Sequence, residues 1–270
     1  MLRGKGSGAG LESLILASQI IDTLARYKKP VGVSTLALEL NTSKARVSRF
    51  LSTMLDLGWV VRGESGRGYS LGWQLMRFGQ AATANNPVLE HVSPYLVELR
   101  NSTGKATIFA TPADNNAIVT FSLRGTDASG IYVRPGAPLY FPRSSAARVM
   151  WAFRNSYMDR LKRLSSLDLL KGTHYASIEQ LEASLVRTRE SYVAATFNTK
   201  NDNLGAISTP VFDKSNELVG AVGLVMTSEI FRTPRYPALV EELRNCARDL
   251  SRQMGATRWP SGKLPVPESD

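Results

Sequence analysis

The sequence contains very little of the residues that most often carry disulfide and metal chemistry. Among 270 residues there is one cysteine, Cys246, and there are two histidines, His91 and His174. A single cysteine excludes an intramolecular disulfide, and so few ligands form no cluster at zinc spacing. These absences favour an intracellular protein, and we expect neither a metal nor a cofactor.

Long apolar runs are also missing. No stretch approaches the roughly 20 apolar residues of a membrane-spanning helix. The opening sequence, MLRGKGSGAG, lacks the roughly 7–15-residue apolar core of a signal peptide. We therefore expect a soluble, cytoplasmic protein with no membrane partner.

Several signatures of catalysis do not occur either. The chain has no Gly-x-Ser-x-Gly, no His-Glu-x-x-His and no glycine-rich phosphate loop. His174 and Cys246 have no partners that the sequence places beside them. An enzyme that acts on a small molecule is therefore the least favoured functional class.

The composition is that of a globular protein with a basic bias. Hydrophobic residues make up 43% and charged residues 21%, and the length suits two domains. The net charge is +10 and the pI is about 9.9, which favours a polyanionic partner. Up to Leu75 there are ten Lys and Arg against five acids, so the first quarter carries half of the excess.

The stretch from Asn41 to Gly58, NTSKARVSRFLSTMLDLG, is predicted to be an amphipathic helix from about Ser43. Its apolar residues recur at i, i+3, i+4, i+7 and i+8, which forms one buried stripe: Val47, Phe50, Leu51, Met54 and Leu55. The opposite face has the small, hydroxyl and guanidinium side chains that read a DNA major groove: Ala45, Arg49 and Ser52, flanked by Arg46 and Ser48. An ordinary surface helix is the alternative.

The sequence around this helix favours the DNA interpretation. A helix is predicted from Leu11 to Tyr27, and a second from Thr35 to Leu40 with Ser34 as its cap. Asn41 suits a left-handed turn, and Thr42 or Ser43 can cap the third helix. Strand formers before and after 63–68 then predict a two-stranded wing carrying Arg62 and Arg67, although a solvated hairpin that only caps the core is the alternative.

This order of elements resembles the winged helix-turn-helix of the IclR family of bacterial transcriptional regulators. The resemblance lies in VGVSTLALELNTSKARVSRFLSTMLDLGWV, RGESGRGYSLG and WQLMRFG. It implies a homodimer, or a dimer of dimers, that binds a near-palindromic double-stranded operator. The residues expected at the DNA are Thr42, Ser43, Lys44, Ala45, Arg46, Ser48, Arg49, Ser52, Arg62 and Arg67.

The second half predicts an α+β domain. Helices are expected over Val88 to Ser102, Ser144 to Phe153 and Met158 to Leu164, from a capping box at Ser177 and Gln180 to about Arg189, and around Leu239 to Leu250. Strands are expected at KATIFAT, AIVTFSLR, GIYVR, SYVAATF, LGAISTPVFD and LVGAVGLVMT. The strand pattern predicts an antiparallel sheet with helices on its faces.

This domain resembles the GAF-like effector-binding domain of the same family, mainly in AISTPVFD and in Pro138 to Phe153. The inherited polar contacts are largely lost, because Ala206, Gly223 and Val225 stand where the family has a cysteine and serines. Positions carried over from the family are Ser144, Ser145, Ala146, Ala206, Ser208, Gly223 and Val225. Apolar walls are predicted from Phe109, Phe141, Met150, Trp151 and Phe197, unless these residues are simply core.

A small, flat effector, aromatic or with a carboxylate, is expected, and Arg143, Ser144 or Ser145 could meet a carboxylate. The predicted organisation is a flexible basic arm (1–10), a winged helix-turn-helix domain (11–72), a linker helix (73–87), an effector and oligomerisation domain (88–254) and a mobile tail (255–270). The resemblance implies a ligand-responsive transcriptional regulator. An architectural DNA-binding protein without an effector is the main alternative.

Overall fold

The computed structural model describes residues 12–64, 66–84, 87–154, 161, 167–171, 173–197, 203–257, 259 and 268–269. The chain forms two compact units that divide between Asn85 and Asn86. The predicted arm over 1–10 lies outside the described residues, as does the predicted helix over 158–164 except for Leu161. None of the helices within the described ranges is long and apolar enough to cross a membrane.

The first unit contains three helices, a two-stranded wing and a fourth helix. The helices are α1 (Glu12–Arg26), α2 (Val33–Glu39), α3 (Lys44–Asp56) and α4 (Trp73–Ala84). The wing consists of β1 (Val60–Arg62) and β2 (Tyr69–Leu71), which pair antiparallel. The predicted cap of α2 at Ser34 is wrong: Gly32 precedes the helix in extended conformation, and its carbonyl already accepts from the Leu36 amide.

Apolar stripes on α1, α2 and α3 meet in one core. Leu16, Ile20, Leu36, Val47 and Leu51 are among its buried residues. The stripe predicted for α3 is confirmed, since Val47, Leu51 and Met54 are buried and Phe50 and Leu55 pack against them from partly buried positions. This burial fixes which side of α3 faces solvent.

The wing is attached to the turn between α1 and α2. Val31 and Tyr69 exchange two backbone hydrogen bonds of 2.9 Å. Gly63 and Gly68 lie so close to Pro30 that an added Cβ would approach it to between 2.8 and 3.1 Å. The stem of the wing is therefore packed tightly, whereas Arg67 remains exposed.

Helix α4 buries none of its residues within the described chain. Trp73 is 79% exposed, and Met76 and Phe78 are also exposed. The Phe78 ring makes an edge contact with Trp59, with 6.4 Å between centroids. An apolar surface of this kind on one element indicates an interaction site.

The second unit is built on a seven-stranded sheet. Its strands are β3 (Ala106–Ala113), β4 (Asn116–Leu123), β5 (Pro138–Leu139), β6 (Ala194–Phe197), β7 (Leu204–Phe212), β8 (Leu218–Thr227) and β9 (Glu268–Ser269). The order is β5-β4-β3-β8-β7-β6-β9, and the neighbours are antiparallel except for β6 and β9. The predicted α+β class with an antiparallel sheet is confirmed.

Helices cover both faces of this sheet. On one face α5 (Pro87–Thr103) and α9 (Tyr236–Gln253) form the largest core with residues such as Leu96, Leu224 and Leu239. On the other face α6 (Ser145–Ala152) and α8 (Ile178–Ser191) pack against Ala110, Ala194 and Ala221, near the short helix α7 (Leu167–Leu170). The Ser177 cap is confirmed, because its Oγ accepts from the Gln180 amide at 3.4 Å.

One predicted strand, GIYVR at 130–134, is wrong. Its side chains alternate between half-buried and exposed, but it joins no ladder, and the short strand β5 forms instead. Gly130 at its start and Gly136 after it have positive φ values of 55° and 85°, which turn the chain on both sides, and Pro135 directly after it has no amide to continue a ladder. Ile131 and Val133 nevertheless cover a small cluster around Ile108 and Val225.

The described part of the C-terminal tail contacts the second unit, where the sequence predicted a mobile segment. The Thr257 amide donates to Asn216 Oδ1 at 3.1 Å, and the Trp259 ring lies 6.1 Å from both Tyr192 and Phe212. Strand β9 pairs with β6 through Thr196 and Phe197. Aromatic contacts provide an anchor that a polar, proline-rich composition does not reveal.

Candidate nucleic-acid interface and effector site

The start of α3 has the geometry of a capped helix. Asn41 adopts the predicted left-handed conformation with φ 48°, which lets the chain reverse directly after α2. Ser43 is extended, and its Oγ accepts from the Arg46 amide at 3.2 Å. The cap fixes the first turn, from which a groove-reading helix projects its side chains.

The solvent face of α3 presents the residue types predicted for it. Ala45, Ser48, Arg49 and Ser52 are all exposed, as are Lys44 and Ser43, while Thr42 is half-buried. The neighbouring turns thus offer hydroxyl and guanidinium groups on one convex surface. Such a surface can donate hydrogen bonds to base edges and phosphates.

The cations of this surface differ in their surroundings. Arg46 Nη2 lies 3.2 Å from Glu12 Oε1 at the start of α1. Arg62 lies over the Tyr69 ring, with its Cζ 5.4 Å from the centroid. Lys44, Arg49 and Arg67 form no ion pair within the part of the chain that the structure describes.

In the second unit, several predicted effector residues share one face of the sheet. Ser208 on β7 lies between Ala194 and Gly223 of the adjacent strands, and Ala206 lies between Thr196 and Val225. The Ser208 hydroxyl lies 2.8 Å from that of Ser145 on α6. A Cβ at Gly223 would come within 2.9 Å of Ser208 Oγ, so glycine leaves room for this hydroxyl pair.

The N-terminus of α6 lies beside Ser208, because Ser145 is the first residue of this helix. Ser144 precedes the helix without capping it, and Ser145, Ala146 and Ala147 are buried. Their three backbone amides have no acceptor among the described residues, because the helix bonds begin with Arg148 donating to the Ser144 carbonyl. Buried first-turn amides form a site with affinity for an anionic group.

The Ser145 and Ser208 hydroxyls extend this donor set. Each hydroxyl can donate one hydrogen bond, and the pair uses only one of its two protons internally. Both side chains are buried, and within the described residues no other partner satisfies the second proton. The arrangement therefore has one further donor for a ligand oxygen.

Four other predicted residues lie on this helix or just before it. Phe141 stacks on Trp151 with 4.2 Å between centroids, and Trp151 Nε1 donates to the Asn115 carbonyl at 2.6 Å. Met150 is buried in the same cluster. Arg143 is exposed and donates to the Lys171 carbonyl at 2.7 Å. These contacts make the aromatic pair part of the core that supports α6.

The prediction that Phe109 and Phe197 form apolar walls of this site is wrong. Phe109 is fully buried in the core formed with α5 and α9, and Phe197 stacks on Phe231 in that core at 5.2 Å. Successive side chains of a strand point to opposite faces, so Phe197 and Thr196 are on different sides of the sheet. Neither phenylalanine can line a site together with Ser208 and Gly223.

Sequence reasoning missed Arg148 as an organising residue. Its side chain is 1% exposed, and its Nη1 donates to Tyr175 Oη at 2.6 Å and to Ser184 Oγ at 3.1 Å. Its Nη2 donates to the Ala195 carbonyl at 2.5 Å. An arginine within the otherwise apolar run AARVMWA was the available signal. Arg148 connects α6, α8 and β6.

The residues that could have supported catalysis have other partners. Burial raises the pKa of the Cys246 thiol to about 12, which keeps it protonated at neutral pH, and its Sγ donates to the Tyr95 carbonyl. A Ser-x-x-Lys spacing occurs at Ser102 and Lys105, but Ser102 donates to Glu242 at 2.6 Å and Lys105 pairs with Asp127 at 2.6 Å. Neither arrangement provides an activated nucleophile.

Comparison with known families identifies the class. The family model described as "IclR helix-turn-helix domain" matches residues 13–64, and the one described as "Bacterial transcriptional regulator IclR C-terminal" matches residues 80–252. The chain therefore belongs to the IclR family of bacterial transcriptional regulators. The first range contains α2, α3 and β1, and the second contains AISTPVFD and Pro138 to Phe153; most of RGESGRGYSLG and all of WQLMRFG lie between the two ranges.

Characterised relatives are similar along nearly their whole length. The regulator KdgR of Escherichia coli is 27% identical over 267 residues, which cover 93% of this chain and 95% of KdgR. The repressor YiaJ of the same organism is 24% identical over 263 residues, covering 95% and 93% of the two chains. A crystal structure of an IclR-type regulator from a Silicibacter species, 19% identical, superimposes with a TM-score of 0.76 and covers 93% and 100%. The similarity to this crystal structure shows that the two chains share a fold.

Proposed function

We propose that this chain is a cytoplasmic, ligand-responsive regulator that binds a near-palindromic DNA operator. The solvent face of α3 is the observation that carries this proposal. Its start is capped by Ser43, its apolar side is buried, and Arg49 lies in solvent between small and hydroxyl side chains. This combination is what a helix needs in order to enter a major groove.

The residues of the interface take two roles. Arg49, with Ala45, Ser48 and Ser52, faces base edges, because these side chains occupy the centre of the exposed face. The phosphates are contacted by four cations: Lys44, Arg46 and the wing arginines Arg62 and Arg67. The hydroxyls of Thr42 and Ser43 add contacts to the DNA backbone. Base contacts give selectivity, while phosphate contacts give affinity that falls with salt.

A symmetric operator requires at least two copies of α3. The exposed apolar side chains of α4, Trp73, Met76 and Phe78, support a homodimer formed through this linker helix. The second unit would bring two dimers together. The modules we assign are 11–72 for DNA, 73–87 for the linker and 88–254 for effector binding and assembly.

The effector we propose is a small molecule with a carboxylate. Its anionic group would accept from the first-turn amides of α6 and from the Ser145 and Ser208 hydroxyls. The apolar side chains of Ile108 and Val225 would contact the rest of the ligand. Effector binding would bias the assembly between arrangements that fit or misfit the operator.

Arg49→Ala tests the base-reading role. Operators are first selected from a random duplex pool with the wild-type protein, and affinities are then measured for the selected duplex and for an unselected one. We expect the variant to lose about 1–3 kcal/mol on the selected duplex and much less on the other. Lys44→Ala is the control, since a phosphate contact weakens both duplexes alike. Equal losses for Arg49→Ala would overturn its base-reading role.

A further inference from the structure

The ion pair between α1 and α3 occupies a cation of the proposed DNA surface. Arg46 is the third residue of α3, and its amide is already fixed by Ser43. Its guanidinium lies 3.2 Å from the carboxylate of Glu12, whose side chain is 82% exposed, against 35% for Arg46. The carboxylate is thus at the surface, beside the helix that we assign to DNA.

The other cations of this surface are arranged differently. Lys44 and Arg49 on the same helix, and Arg67 on the wing, form no ion pair with any acid that the structure describes. Arg46 alone among these four has a carboxylate on its guanidinium. A carboxylate and a phosphate bind a guanidinium through the same oxygen geometry. Glu12 therefore occupies the position that a DNA phosphate would take at Arg46.

We propose that Glu12 restrains sequence-independent DNA binding by competing with phosphate for Arg46; this inference rests on the proposed interface of α3. The carboxylate acts in two ways. It neutralises one of the charges that would displace counterions from the duplex, and it repels an approaching phosphate. A weaker background on random DNA raises the ratio of specific to non-specific binding.

Glu12→Gln tests the inference without knowledge of the operator. The probe is a fluorescein-labelled 30-base-pair duplex of random sequence, and binding is followed by anisotropy between 50 and 200 mM KCl. At the lowest salt we expect the variant to bind about three- to tenfold more tightly than the wild type. The slope of log K against log [KCl] should steepen by about one, since one further phosphate contact forms.

Asp22→Asn is the matched control, because it changes the net charge equally. Asp22 is exposed on α1 and lies about 15 Å further along the helix by its rise. We expect it to change binding less than twofold. In an Arg46→Gln background, Glu12→Gln should lose most of its gain, because the competing cation is then absent.

The outcomes separate the inference from the proposed function. Equal effects of Glu12→Gln and Asp22→Asn, weaker binding by Glu12→Gln, or an undiminished gain in the Arg46→Gln background would each overturn the inference. Random-duplex binding that is still weakened by Lys44→Ala would keep α3 as the interface. The absence of that weakening would overturn the interface as well. Circular dichroism confirms that each variant is folded.

Discussion

Gly223 shows how much the effector face depends on the smallest side chain. It lies on β8 opposite Ser208, and an added Cβ would lie 2.9 Å from Ser208 Oγ, 3.0 Å from Ile108 Cγ1 and 3.2 Å from the Ile207 carbonyl. All of these neighbours lie in the packed sheet and have little room to move. Glycine at this position thus allows α6 to approach the sheet through the serine pair.

Gly223→Ala should destabilise the second unit by about 1–3 kcal/mol, because the added methyl overpacks a closed region. Urea unfolding, followed by a probe specific to the second unit, measures this loss. In a Ser208→Ala background the cost should fall, since the closest of the three contacts has been removed. An equal cost in both backgrounds would show that the strain is not at the hydroxyl.

Arg148 and Phe109 show why some residue roles could not be predicted from the sequence. The contacts of Arg148 come from 27, 36 and 47 residues away, so no local pattern contains them. For Phe109, alternation along the strand indicates which side chains share a face, but the helix that covers each face depends on the connections between strands. The serine positions were predicted because the family resemblance covers them.

Local sequence patterns predicted helices and strands better than they predicted the contacts of single residues. The stripe of α3 and the cap at Ser43 follow from spacing and side-chain chemistry within a few residues, and both are confirmed. Strand β8 begins and ends where the apolar run LVGAVGLVMT does. GIYVR differs because its strand-forming residues lie between Gly130 and Gly136, whose positive φ values turn the chain on both sides.

Ser43→Ala should loosen the first turn of α3. The Arg46 amide loses its acceptor, and a cap of this kind contributes about 1 kcal/mol, which corresponds to roughly fivefold faster exchange of that amide. Hydrogen exchange of the peptide containing 44–48 measures the change. Ser52→Ala makes the same chemical change on the exposed face and should leave exchange unaltered. Similar exchange in the two variants would contradict the capping role.

At the scale of the whole molecule, two units divide the work of a regulator. The first carries a convex, cationic surface, and the second carries a buried helix start with donors that lack acceptors among the described residues. A regulator needs the second to respond to a ligand and the first to respond to DNA. The main alternative is an architectural protein in which the second unit only assembles copies, and ligand binding distinguishes the two.

Thermal unfolding with a panel of small acids makes this distinction, because a ligand that binds only the folded state must raise the midpoint. Benzoate, 4-hydroxybenzoate and gluconate are compared with benzamide, which has the same ring without the charge. We expect at least one acid to stabilise the chain by about 2.7 kcal/mol at a concentration of 100 Kd, and benzamide to have no effect. The shift should decrease in Ser208→Ala, which removes a hydroxyl donor from the site.

Stabilisation by benzamide equal to that by benzoate would contradict a carboxylate at the start of α6. The absence of a shift with every acid would favour the architectural alternative, in which the second unit only assembles copies.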